Sequence, residues 1–185
     1  DTEALGIKTE RGAIVTDEML KTSVDGVYAI GDVNGKAMLA HTASMEGIVA
    51  VENICGEKAV MDYSKIPSAI YSQPEIASVG LTEKQAAEKY GKIKVGKFPL
   101  MANGKAKVAG EERGLVKVIA EAKYGEIVGV HLYCIHATDM IAEAVVAMQL
   151  ESTAEEVAMA IHPHTTVSEI MHEAMHAVDG RAIHF

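Results

Sequence analysis

The chain has 185 residues, 49% of them hydrophobic and 23% charged, a composition that supplies a core and excludes disorder for the bulk of it. Its 26 acidic residues against 17 basic ones give a formal charge of -9, the wrong sign for a nucleic-acid-binding face. No apolar run approaches the roughly 20 residues of a membrane helix, and the opening DTEALGIKTERG is too polar for a secretory leader, so neither membrane nor export is expected.

In chain order, residues 13–22 read as a short β segment after a turn at Arg11-Gly12. VYAIGD, residues 27–32, has the pattern of a short buried strand closed by Gly31-Asp32. A glycine-containing loop follows, and from Met38 to Ile54 the spacing becomes helical, with Leu39, Ala43, Ile48, Val51 and Ile54 able to share a face. Cys55-Gly56 is a plausible stop. Strand, loop and helix make half of an α/β unit.

Beyond a polar linker the pattern changes. Strands are expected at residues 68–72, 76–81, 93–100, 115–120 and 127–133, with a short helix over 82–90 that Thr82 and Gln85 can open as a capping box. Lys123-Tyr124-Gly125-Glu126 is a tight-turn candidate between two β-rich runs. Helical spacing then takes over residues 137–150, 153–160 and 167–178, the second opened by a Thr153–Glu156 capping box. Strands first and helices last give an α+β domain: an antiparallel sheet with helices on one face. The chain therefore divides near residue 60, into an incomplete α/β segment (1–60) and a complete α+β domain (61–185). With 4% aromatics and 10 methionines, its core must be aliphatic and methionine-filled. The apolar residues of the late helices, from Met140 and Ile141 through Val145, Met159 and Met175, exceed what one sheet face should need, so a second copy is expected to cover the surplus.

Three segments carry a resemblance: YAIGDVNGKAMLAHTASMEG (28–47), IPSAIYSQPEIASVGLTE (66–83) and AIHPHTTVSE (160–169). In this order they resemble the C-terminal part of the dihydrolipoyl dehydrogenase branch of the flavin-dependent pyridine nucleotide-disulfide oxidoreductases. The resemblance covers essentially the whole chain. It implies a dimerisation domain over 61–185, preceded by the last part of an FAD-binding domain. It implies that Asp32 holds the flavin's ribityl chain and that Met38, Leu39, Ala40 and His41 lie against the flavin ring. The residues agree with that. A carboxylate after Gly at a strand edge can accept hydrogen bonds from ligand hydroxyls. A helix N-terminus with free N–H groups suits developing negative charge.

The resemblance also implies that His164 and Glu169 are the catalytic acid-base pair of the full homodimer. There His takes a proton from the dithiol substrate on a lipoyl-bearing protein, of a 2-oxoacid dehydrogenase or glycine cleavage complex. The thiolate then attacks the partner subunit's disulfide, with FAD and NAD as cofactors. A carboxylate in the first helical turn can fix the tautomer of an imidazole in the preceding loop. His162, two residues earlier, reads as structural or orienting. The family has Pro after the catalytic His and holds that peptide cis; here the residue is Thr165, which leaves cis and trans both open.

His172-Glu173-Ala174-Met175-His176 matches H-E-x-x-H, the zinc-protease pattern. A third ligand is lacking, so no metal site is expected. Glu143, Met140 and Met148 read as helical core and edge. A Cys-x4-Cys redox pair and Gly-rich dinucleotide loops do not occur. Cys55 and Cys134 are far apart in sequence, which suits a reducing, cytoplasmic setting. The chain alone is thus expected to bind no cofactor tightly and to be inactive. A glutathione or mercuric reductase type remains the alternative within the family. A dimerisation module without chemistry of its own is the alternative outside enzymes.

Overall fold

The structure, a computed structural model, describes residues 1–185, which divide into the units Asp1–Tyr63 and Ser64–Phe185. The first unit opens with a small hairpin, β1 (Thr9–Glu10) and β2 (Ala13–Ile14), turning at Arg11-Gly12. The β segment expected over 13–22 is thus only two residues long. Residues 27–32 do not form the expected strand. Tyr28 makes a single bridge to Lys21, and Gly31, at φ 72, turns the chain into a 3-10 turn, Gly31–Asn34. A strand exists by pairing, and this segment has one partner residue.

The helix α1 (Ala40–Ile54) starts two residues later than expected, with Leu39 as an extended N-cap. Its buried face also differs. Thr42, Glu46, Val49, Ala50 and Asn53 point inward, while Ile48, Val51 and Ile54 stay exposed. Polar side chains win that face because the middle and the C-terminal turn of the helix are each tied to a loop. Glu46 holds the Gly31–Asn34 turn, and Asn53 Nδ2 donates to the Ala59 carbonyl at 2.8 Å.

The second unit is one antiparallel sheet, in the order β3 (Ser68–Ile70), β4 (Glu75–Gly80), β7 (Ile127–Cys134), β6 (Leu115–Glu121), β5 (Ile93–Pro99). The central hairpin β6–β7 closes where expected. The Glu121 carboxylate accepts the N–H groups of Lys123 and Tyr124, and Gly125 takes φ 82. Alternation sorts the side chains. Val116, Val118, Val130 and Leu132 enter the main core with Ala77, Val79 and Phe98. Ile119 and Val128 face the other way, beneath α2 (Glu83–Tyr90) and its buried Ala86. The Thr82–Gln85 capping box that opens α2 is present as read.

The main face is covered by α4 (Ala137–Gln149), α5 (Ala154–Ala158) and α6 (Glu169–Ala177). Thr153 and Glu156 form the expected box at α5. The sequence reading missed α3 (Gly104–Ala109), which Asn103 caps through its Oδ1.

Most of the late-helix apolar residues expected to form a surplus are buried. Ile141, Ala144, Met148, Ile170 and Met175 are buried, and Met140, Val145 and Val157 pack against the same core. Of those named, only Met159 stands out, at 74% exposed. Helix-on-helix packing of α5 with α6 consumes the faces that the sheet does not. Other side chains of this region do stand out, Val146 on α4, Leu150 just after it and Ile161 beyond α5, and a second exposed apolar row lies on the opposite sheet face, where Ile70, Ile76, Tyr133 and Leu115 pair across four strands.

Candidate active-site loop and cofactor segment

The loop before α6 carries His164. Its Nδ1 lies 2.9 Å from Glu169 Oε1, while the ring remains 77% exposed. Glu169 is the first residue of α6, and its second oxygen accepts the Thr166 N–H at 2.9 Å. The carboxylate therefore fastens the loop and the imidazole at once. Burial pushes the Glu169 carboxyl up. The Thr166 N–H, the His164 hydrogen bond and the nearby His164 and His184 charges outweigh it and hold the group below its ordinary value. An ionised Glu169 favours a proton on His164 Nδ1 and leaves Nε2 as the basic nitrogen. The His164–Thr165 peptide is cis, one of the two forms that Thr165 leaves open.

Two further contacts hold this loop, and neither was read from the sequence. His162, read as orienting, places Nε2 2.8 Å from Glu143 Oε1 on α4. Glu143 is thus a partner and not merely a solvated edge. The Glu143 hydrogen bond first, and its charge, raise the His162 pKa against the opposing effect of burial. Asn103, 5% exposed, donates from Nδ2 to the Thr166 carbonyl at 3.0 Å. The one legible sign was its position before Gly104, as a possible N-cap. A cavity of about 620 Å³ opens beside the loop, with Phe98, Ile161, His164 and Glu169 in its wall. An exposed base with an oriented tautomer beside a mostly apolar cavity can take a proton from a bound thiol or hydroxyl.

In the first unit Asp32 sits exposed in the Gly31–Asn34 turn. That turn is fixed from beneath by buried Glu46. Gly31 N–H donates to its Oε2 at 2.6 Å and Asn34 Nδ2 to its Oε1 at 2.9 Å, and Tyr63 adds its hydroxyl. Burial raises the Glu46 carboxyl, but the Tyr63, Asn34 and Gly31 hydrogen bonds and the Lys36 charge bring it below the ordinary value. Met38 and Leu39 are exposed ahead of α1, and Ala40 and His41 form its first turn. Leu39 supplies no side-chain cap, and the buried Thr42 hydroxyl has no partner. An exposed carboxylate, an uncapped helix start and exposed apolar side chains fit a polyol-bearing aromatic ligand with an electron-rich edge.

Residues 66–175 match the family model described as pyridine nucleotide-disulphide oxidoreductase, dimerisation domain, and residues 1–47 match that described as pyridine nucleotide-disulphide oxidoreductase. The chain belongs to the pyridine nucleotide-disulphide oxidoreductase family. Dihydrolipoyl dehydrogenases from Rhizobium etli and Bacillus subtilis are each 50% identical to it, over 98% and 99% of this chain and 38% and 39% of their own lengths. A mitochondrial dihydrolipoyl dehydrogenase of Pisum sativum is 43% identical over 98% of this chain and 36% of its own. The crystal structure of LpdA from Mycobacterium tuberculosis has a TM-score of 0.88 at 27% identity, covering 94% of this chain and 38% of that one. The HOCl-induced flavoprotein disulfide reductase RclA from Escherichia coli has a TM-score of 0.85 at 28% identity, covering 94% and 41%. The chain thus spans less than half the length of these family members. No helix is long and apolar enough to cross a membrane.

Proposed function

We propose that the chain is the C-terminal portion of a dihydrolipoyl dehydrogenase, with His164 and Glu169 as its acid-base pair. The observation that carries this reading is the 2.9 Å contact between His164 Nδ1 and Glu169 Oε1, with the ring exposed beside a cavity. His164 Nε2 takes the proton of a substrate thiol, and Glu169 stabilises the resulting imidazolium. The thiolate attacks one sulfur of a disulfide, forming a mixed disulfide and releasing the other sulfur as thiolate. That disulfide belongs to the part of the enzyme outside these residues, on the partner subunit of a homodimer. Asn103, Glu143 and His162 act as positioning residues.

Residues 1–60 are read as the last part of the FAD-binding region and 61–185 as the dimerisation domain. The exposed Ile48, Val51 and Ile54 of α1 are surfaces that the rest of a nucleotide-binding domain can cover. Asp32 would hold the ribityl hydroxyls, and residues Met38, Leu39, Ala40 and His41 the isoalloxazine edge. FAD, when bound, relays the electron pair between the enzyme dithiol and NAD. The substrate is dihydrolipoamide on a lipoyl-bearing protein of a 2-oxoacid dehydrogenase or glycine cleavage complex, and the setting is cytoplasmic.

The test is a chimera in which this chain replaces the corresponding segment of the Bacillus subtilis relative. The chimera is expected to reduce NAD with dihydrolipoamide, and His164→Gln to lower kcat by about 10²–10⁴-fold with FAD retained. Flavin-loaded chimera that turns over glutathione instead favours the other reductase type. Unchanged kcat in His164→Gln removes the acid-base assignment.

A further inference from the structure

The H-E-x-x-H run on α6 has no part in the acid-base reading, and the structure separates its members. Glu173, which would be the base of a zinc hydrolase, is 4% exposed and turned to the C-terminal tail. Its Oε2 accepts the Ile183 N–H at 2.8 Å, and its Oε1 meets His184 Nδ1. The two imidazoles converge instead. His172 and His176, one turn apart, bring their Nε2 atoms within 3.1 Å, with the rings 77° apart. Both stand in the wall of the cavity of about 620 Å³.

Two imidazole nitrogens at that separation can share an N–H, or both lone pairs can face one cation. With metal–nitrogen distances of about 2.0–2.1 Å, 3.1 Å between nitrogens corresponds to an angle of roughly 100° at the metal. The pair can therefore occupy two adjacent coordination positions with little rearrangement. No group of three His, Cys, Asp or Glu converges on one point. His162 is engaged by Glu143 and the Ala160 carbonyl, Glu169 by His164 and Thr166, and Glu173 by the tail. Water must complete the shell. Two neutral imidazoles with water suit Ni(II) or Cu(II), whereas Mg(II) and Ca(II) require oxygen ligands. Glu169 and Glu173 line the same cavity and favour a cation there.

We propose that His172 and His176 form a two-imidazole chelate for a late first-row divalent cation, on the wall of the cavity that also holds His164. It is a binding site and not a hydrolytic centre, since Glu173 is committed elsewhere. The proposal stands independently of the dithiol chemistry.

The test is calorimetric titration of the untagged 185-residue chain with Ni(II) in a non-coordinating buffer. One site per chain is expected. His172→Ala or His176→Ala should each weaken it by at least about 10–100-fold, since losing a mere outer-shell partner already costs that much. His184→Ala should leave it unchanged. Pulsed EPR of the Cu(II)-loaded, unsubstituted chain labelled with 15N-histidine should count two imidazoles, and it decides the matter if a variant fails to fold. Absence of stoichiometric binding, affinity in the His172→Ala and His176→Ala variants equal to that of the unsubstituted chain, or a count other than two overturns the proposal.

Discussion

Asn103 Nδ2 and the Thr166 carbonyl meet at 3.0 Å across 63 residues of sequence, tying the start of α3 to the loop that carries His164. The same side chain caps α3 through Oδ1, which accepts the Ala106 N–H at 2.8 Å. Asn103→Ala therefore removes a cap and a loop anchor together. The expected cost is about 1–3 kcal/mol, read as a lower urea midpoint. In the chimera, kcat should fall with little change in KM, because the misplaced group is His164. Loss of stability with unaltered kcat would reduce Asn103 to a purely structural residue.

Gly96 sets how closely α6 lies on β5. A Cβ there would press on the Ala174 carbonyl oxygen and the Val178 nitrogen, both backbone atoms that cannot step aside. Gly96→Ala should destabilise the second unit by about 1–3 kcal/mol or more, as overpacking does. Denaturant unfolding followed by circular dichroism measures it. Stability equal to that of the unsubstituted chain would mean that α6 shifts freely.

The acid limit of stability should depend in part on Glu75. The Thr138 N–H is the main cause that holds its carboxyl below the ordinary value. Burial opposes this, and the Thr138 hydroxyl and the His136 charge add to it. A carboxyl lowered by folding contributes stability that is present above its unfolded value, about 4.3, and is lost as pH falls through the folded value. Glu75→Gln should cost about 0.5–1 kcal/mol at neutral pH and flatten the acid limb of the stability curve. Parallel acid limbs for the two proteins would show that Glu75 does not contribute.

How much of this was legible follows the range of the interactions. The capping boxes at Thr82 and Thr153 span three residues, so local rules reach them, whereas the His164–Glu169 pair, five residues apart across a loop–helix boundary, is picked out by the family resemblance. The strands of the second unit alternate where one face meets the main core, as in β4 and β5, and lose the alternation where β6 and β7 pass beneath α2 and are buried on both faces. The anchors from Asn103 and Glu143 come from distant elements, and no local pattern reports them. Residues 27–32 have a strand's composition but only one pairing partner, Lys21. On α1 the inward face was misassigned because Glu46 and Asn53 are buried by specific hydrogen bonds, against the hydropathy pattern.

The purified chain alone should not oxidise dihydrolipoamide with NAD, and it should not retain FAD through gel filtration. Its cysteines cannot replace a paired redox centre. Cys55 is exposed, and Cys134 is buried in the second unit with its thiol pushed up to about 12 by burial and the Glu75 charge. Dihydrolipoamide-dependent NADH formation by a preparation free of any full-length enzyme would overturn the reading of these residues as one portion of the catalyst.

Self-association should engage the exposed apolar row on the sheet. Ile70 pairs with Ile76, Ile76 with Tyr133, and Tyr133 with Leu115, so the four side chains form one row on the face away from the main core. Each is 38–53% exposed, whereas Val145 on α4 packs against that core. A row of this kind in a chain that matches a dimerisation domain fits a second copy. Light scattering of the unsubstituted chain at micromolar concentration should give about twice 19.7 kDa. Tyr133→Glu should shift it to the monomer while the circular dichroism spectrum stays native. Val145→Glu should lower the unfolding midpoint by burying a charge, whatever the oligomeric state. A dimer that survives both Tyr133→Glu and Ile76→Glu must use a different surface, and a chain that is monomeric from the outset leaves His164 without the partner disulfide that its role requires.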